Sequence, residues 1–104
     1  MKISFDIDGV LDTPQGMALA RRKIANGDRV YIITGRNEER MSAEVYAIAN
    51  ELGIPRLRVY FTNGADKWKT IHSLGIELHY DNNEEQIIKI KEQTDSEAEL
   101  VEYD

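Results

Sequence analysis

Residues 29–34 contain four apolar side chains in succession, Val30-Tyr31-Ile32-Ile33. A strand with one wet face alternates apolar and polar residues, so an uninterrupted run must be covered on both sides, as in a parallel sheet. Parallel neighbours cannot be joined by hairpins and need crossover connections, ordinarily helices. This one segment therefore restricts the chain to layered α/β architectures.

The rest of the sequence supplies the matching elements. Ile3-Ser4-Phe5 opens as a strand, and residues 15–26 form a helix carrying Met17, Leu19, Ala20 and Ile24 up to Gly27. Asn37 caps a second helix with Glu38 and Glu39 in its first turn and Met41, Val45, Ile48 and Leu52 on its apolar face. Residues 57–62 read as a strand, broken by Asn63-Gly64, and residues 65–74 as a short helix ending at Gly75. Ile76, Leu78 and Tyr80 alternate with Glu77 and His79, which predicts a strand with a wetter face that ends in Asp81. Residues 84–92 form a last helix with Ile87, Ile88 and Ile90 inside, residues 94–99 an acidic solvated loop, and residues 100–103 an edge strand. The expected fold is a doubly wound, Rossmann-like parallel sheet of four to five strands, with helices on both faces and right-handed crossovers.

Residues 1–104 suffice for a single domain, with no room for a second one or a cap. A formal charge of −6 disfavours general affinity for nucleic acid or an anionic membrane, and no apolar stretch approaches the ~20 residues of a membrane span. The absence of cysteine excludes disulfides and thiolate chemistry. The first residues enter the strand pattern directly, with no apolar leader, so the expected location is the cytoplasm.

The chemistry concentrates where the first strand ends, at Asp6-Ile7-Asp8-Gly9. Side chains two apart on a strand share a face, so Asp6 and Asp8 repel unless the chain turns between them. A divalent cation relieves the repulsion, as does a proton that one carboxyl can donate. Gly9 permits a tight exit from the strand close to a ligand. No bidentate Glu follows at calcium-loop spacing. In open parallel sheets ligands bind beyond the carboxyl ends of strands, and Asp6, Asp8, Thr34 and Asp81 all fall there.

Asp6-Ile7-Asp8-Gly9-Val10 resembles the first motif of the haloacid dehalogenase superfamily, mostly phosphohydrolases that pass through an aspartyl-phosphate. Ile32-Ile33-Thr34-Gly35 is similar to the family's second motif, in which a hydroxyl and the next backbone N–H hold phosphate. The third motif is a Lys. Lys67 is in helical phase with Ile71 and Leu74, whereas Lys69 aligns with Ser73, so Lys67 is the better match. The fourth motif is an acidic pair, from which Asp81-Asn82-Asn83 departs; Glu85 offers a second carboxylate at a variant spacing, and Asn82 an amide for metal-bound water.

The resemblance implies a capless, Mg²⁺-dependent phosphatase. Asp6 would be the nucleophile, Asp8 the general acid and base, and Thr34 and Lys67 further catalytic groups. Phosphate would be held by Thr34, Gly35, Arg36 and Lys67, and the metal by Asp6, Asp81 and Asp8, the last through its backbone carbonyl. Only 20 residues separate Asp8 from Arg29, so the site is expected to be open to small-molecule or polymer-end phosphomonoesters. The alternative is an inactive phosphate-binding or regulatory domain on the same scaffold. A two-component receiver domain fits less well, because its phosphoacceptor would fall at Thr62-Asn63-Gly64. Arg36 suits either a second anionic group of the substrate or solvent beside Glu39 and Arg40. Trp68 is expected to pack, Arg21-Arg22-Lys23 to form a solvated helix face, and His72 and His79 to be surface or half-buried.

Overall fold

A computed structural model of the chain describes residues 1–103. Five strands, β1 (Lys2–Phe5), β2 (Arg29–Thr34), β3 (Val59–Phe61), β4 (Leu78–Asp81) and β5 (Glu97–Leu100), form one parallel sheet in the order β3-β2-β1-β4-β5. Four helices connect them: α1 (Pro14–Ala25), α2 (Glu38–Leu52), α3 (Trp68–Leu74) and α4 (Glu84–Gln93). This is the doubly wound α/β architecture that the uninterrupted apolar run of β2 demands.

Alternate residues of each strand feed two separate cores. Ile3, Phe5, Val30 and Ile32 pack with Met17 and Ala20 of α1 and Val45, Ala49 and Leu52 of α2. Tyr31 and Ile33 point the other way, onto Ile71 of α3 and Ile87 and Ile90 of α4. The helix ends are stopped locally. The Thr13 hydroxyl accepts the Gly16 N–H at 3.0 Å, the Asn83 side chain accepts from Glu85 and Gln86, and Gly53 and Gly75 close their helices in the left-handed region.

Several boundaries differ from expectation. The edge strand is β5 at Glu97–Leu100, so half of the predicted acidic loop is sheet: Glu97 and Glu99 are exposed while Ala98 is buried. An edge strand tolerates charge on its wet face, and charge there discourages further pairing. The third strand shrinks to three residues behind a 3₁₀ turn, Arg56–Arg58, which leaves Leu57 86% exposed. Met41 leaves the core face because its backbone departs from helical geometry (φ −133°), and it is 48% exposed. Among the described residues no helix is long and apolar enough to cross a membrane.

The strand order has a functional consequence. Chain direction around the sheet reverses between β1 and β4, and a crevice opens beyond the carboxyl ends of strands at such a switch point. Asp6 and Asp81 stand on either side of it.

Candidate active site

Asp6 follows β1 in an extended conformation, and its N–H donates to Tyr80 O at 3.0 Å, which prolongs the β1–β4 pairing by one residue. The chain then turns. Gly9 adopts φ 75°, and a wide turn over Ile7–Leu11 is closed by Leu11 N–H to Asp6 O (3.3 Å) and Asp12 N–H to Ile7 O (3.1 Å). A side chain at Gly9 would suffer both the left-handed backbone and a collision with the Asn82 carboxamide. The turn sends the two aspartates apart: Asp6 is buried at 5% exposure, and the Asp8 side chain is 61% exposed.

Beneath the crevice runs a continuous polar chain. Lys67, at the start of α3 and only 5% exposed, places Nζ 2.9 Å from Asp6 Oδ1 and 2.7 Å from Asp81 Oδ2. His79 Nε2 lies 2.8 Å from the same Asp81 oxygen, and His79 Nδ1 lies 2.6 Å from Ser4 Oγ. Asp81 Oδ1 accepts the Asn83 N–H at 3.0 Å. Loss of solvation raises the Asp6 pKa to about 6 despite the attraction of Lys67, with the Asp81 charge adding to the rise. Asp81 is also desolvated, but its hydrogen bond from His79 and the charge of Lys67 hold it well below the usual carboxylate range. Burial pushes the His79 pKa down against the pull of Asp81.

Asp8 has a different environment. Arg36 grips it through two hydrogen bonds, Nε to Oδ2 at 3.1 Å and Nη2 to Oδ1 at 2.7 Å, and also reaches Glu44 Oε1 at 2.7 Å. The guanidinium lowers the Asp8 pKa. Arg36 therefore faces neither solvent nor a vacant anion site: two carboxylates already occupy it. Thr34, at the end of β2, is fully buried and its Oγ1 accepts the Arg36 N–H at 3.2 Å.

A polar cleft of about 280 Å³ opens over these groups, lined by Asp6, Asp8, Gly35, Gly64, Ala65, Lys67, Asp81, Asn82, Asn83 and Gln86. It gathers five of the seven residues that sequence singled out; Thr34 and Arg36 do not line it. Lys67 is buried and lines the cleft, on the face that helical phase predicted, while Lys69 is exposed beside the Trp68 ring. Asn82 lines the cleft; Glu85 instead pairs with Lys89 at 3.1 Å.

Three participants escaped the sequence reading. His79 is completely buried, where a surface or half-buried position was expected, because the face it shares with Asp81 is covered by α3 and α4. That i, i+2 relation to Asp81 was the available signal. Ser4 has none, since only β1–β4 register pairs it with His79. Gln86 anchors the Lys67 N–H at 3.1 Å and donates to Asp66 Oδ1 at 3.1 Å.

Comparison with known proteins finds no family model that matches the chain and no significant match among curated sequences.

Among the described residues no three His, Asp or Glu side chains converge as a metal cage. Asp8 contributes no carboxylate to such a set because Arg36 holds it. The donors that remain are the Asp6 and Asp81 carboxylates, beside a single ammonium. Two buried carboxylates against one cation leave negative charge uncompensated, and hard oxygen donors of this number fit Mg²⁺, which uses one or two carboxylates and keeps several waters.

Proposed function

We propose that this chain is a Mg²⁺-dependent phosphomonoester hydrolase of the haloacid dehalogenase kind, acting through a phosphorylated Asp6. The observation that carries this reading is the Lys67 ammonium between Asp6 and Asp81, 2.9 and 2.7 Å away, under an open polar cleft at the switch point of the sheet.

Asp6, ionised above about pH 6, attacks phosphorus with a carboxylate oxygen, and the bond to the leaving oxygen breaks. Asp8 supplies the proton to that oxygen, then takes one from the water that attacks the phosphoryl group and regenerates Asp6. Lys67 offsets the charge on Asp6 and the phosphoryl oxygens throughout. Gly35 lies at the cleft wall, and on this reading its N–H would donate to a phosphate oxygen. Asp6, Asp81 and the Asp8 carbonyl would hold Mg²⁺, which when bound supplies the positive charge that lets one anion approach another.

One observation favours the rival reading, a non-catalytic phosphate-binding domain. Arg36 keeps Asp8 ionised, and a carboxylate without a proton cannot act as general acid. Turnover requires Arg36 to release Asp8 when substrate enters.

The test is phosphate release from a panel of monoesters, with and without Mg²⁺, by the wild type and by Asp6→Asn. Metal-dependent release that the substitution abolishes supports the hydrolase. Binding of phosphate with no release from the wild type supports the rival.

A further inference from the structure

We propose that His79, keyed by Ser4, is a positioning residue that fixes Asp81 and, through it, the Lys67 ammonium at the cleft. Only its consequence for turnover rests on the phosphatase reading.

Ser4, His79 and Asp81 are all fully buried, on the sheet face that otherwise carries Ile33, Ile71, Ile87 and Ile90. An aliphatic side chain at position 79 would suit these surroundings without desolvating an imidazole. The imidazole adds a donor aimed at Asp81, backed by an acceptor for Ser4.

The direction of each bond follows from chemistry. Asp81 is a carboxylate and only accepts, so His79 Nε2, 2.8 Å from it, carries the hydrogen. Ser4 Oγ lies 2.6 Å from Nδ1 on the other side of the ring, and its hydroxyl can donate to the lone pair that an Nε2–H imidazole presents there. Ser4 and His79 are register partners on β1 and β4, so the backbone ladder sets this contact.

The result is a carboxylate with little freedom to rotate. Asp81 Oδ2 receives both His79 and Lys67, at 2.8 and 2.7 Å, and Oδ1 receives the Asn83 N–H at 3.0 Å. Lys67 is thereby held 2.9 Å from Asp6 Oδ1. Without the His79 donor, Asp81 would keep only the Asn83 N–H and Lys67 itself, and the Oδ2 that Lys67 pairs with would be free to rotate.

The experiment uses the full chain as wild type, Ser4→Ala, His79→Gln and His79→Leu. Gln places an amide donor near the position of Nε2, whereas Leu fills the space without one. Three readouts are taken: the ring tautomer of ¹⁵N-labelled histidine, the ¹H–¹⁵N correlation of the Lys67 ammonium, and Mg²⁺-dependent hydrolysis of p-nitrophenyl phosphate. His72 is exposed and is the only other histidine, so it serves as the internal reference. Circular dichroism confirms that each variant folds.

The proposal expects the Nε2–H tautomer in the wild type and its loss of definition in Ser4→Ala. The slowly exchanging Lys67 signal persists in His79→Gln and disappears in His79→Leu. Hydrolysis falls about 10–100-fold in kcat for Leu, with KM little changed, and recovers most of that loss in Gln. An Nδ1–H tautomer, or a Lys67 signal unaffected in folded His79→Leu, overturns the proposal. If no form releases phosphate while the tautomer and Lys67 signals follow the expected pattern, the phosphatase reading fails and the positioning role stands.

Discussion

Asp6→Asn should make this protein more stable and, on the proposed reading, abolish phosphate release, because the charge that reading needs at Asp6 is one the fold resists. Asp6 is 5% exposed, and burial raises its pKa from the ordinary 3.8 to about 6 even with Lys67 beside it. The sign follows from linkage: between these values the folded state keeps a proton that the unfolded state has released, so wild-type stability falls as pH rises through that window. Above about 6 the whole difference is felt. At about 1.4 kcal/mol per pH unit, the gap between 3.8 and about 6 corresponds to about 3 kcal/mol. Asn resembles the protonated acid and escapes this cost. Urea unfolding at a series of pH values, without Mg²⁺, should show the variant more stable by about 3 kcal/mol near pH 8. The advantage should shrink below about 6 and vanish near 3.8. In a domain of this size that equals a rise in Tm of about 4–8 °C per kcal/mol. If Asp6 holds Mg²⁺ as proposed, saturating Mg²⁺ should narrow the gap by stabilising the wild type more than the variant. A variant no more stable than wild type near pH 8, or an advantage that ignores pH, would refute the reasoning.

Lys67→Met should leave Asp6 and Asp81 facing each other without their cation, costing about 3–5 kcal/mol in urea unfolding near pH 8 and, on the proposed reading, removing phosphate release. Arg36→Gln should let the Asp8 carboxyl titrate closer to 3.8, followed by carbon NMR of the side chain; a titration unchanged from wild type would remove Arg36 as the cause. Gly9→Ala combines a positive φ with a collision at Asn82, so equilibrium unfolding should register a loss of about 2 kcal/mol or more. Burial and the neighbouring Glu99 raise Tyr80 to about 12, so the folded state keeps its phenol protonated while the unfolded chain ionises near 10. Stability should therefore fall above about pH 10, by up to about 1.4 kcal/mol per pH unit, and Tyr80→Phe should flatten that decline.

How much of this was visible in the chain itself differs from element to element. The apolar run Val30-Tyr31-Ile32-Ile33 demanded two covered faces, and the sheet supplies them. The phase of Lys67 with Ile71 was enough to choose it over Lys69, since helical periodicity carries across the three residues between Lys67 and the next turn. Boundaries fared worse. Met41 was expected inside from spacing alone, yet a local departure from helical geometry turns it out. β5 begins among glutamates because an edge strand needs only one buried position, here Ala98.

The site divides along the same line. Local rules sufficed to put Asp6, Thr34 and Asp81 at strand ends, because a strand's end is marked by where its apolar run stops. They were silent on which strands would be neighbours. The order β3-β2-β1-β4-β5 brings Asp6 beside Asp81, and the β1–β4 register seats Ser4 against His79, 75 positions away in the chain. Arg36 meets Asp8 only because the turn at Gly9 swings that carboxylate outward. Periodicity is a property of neighbouring residues and can be read along the chain. Burial of His79, the shared proton donors on Asp81 and the raised pKa of Asp6 depend on what the folded sheet places next to them and on the water it removes.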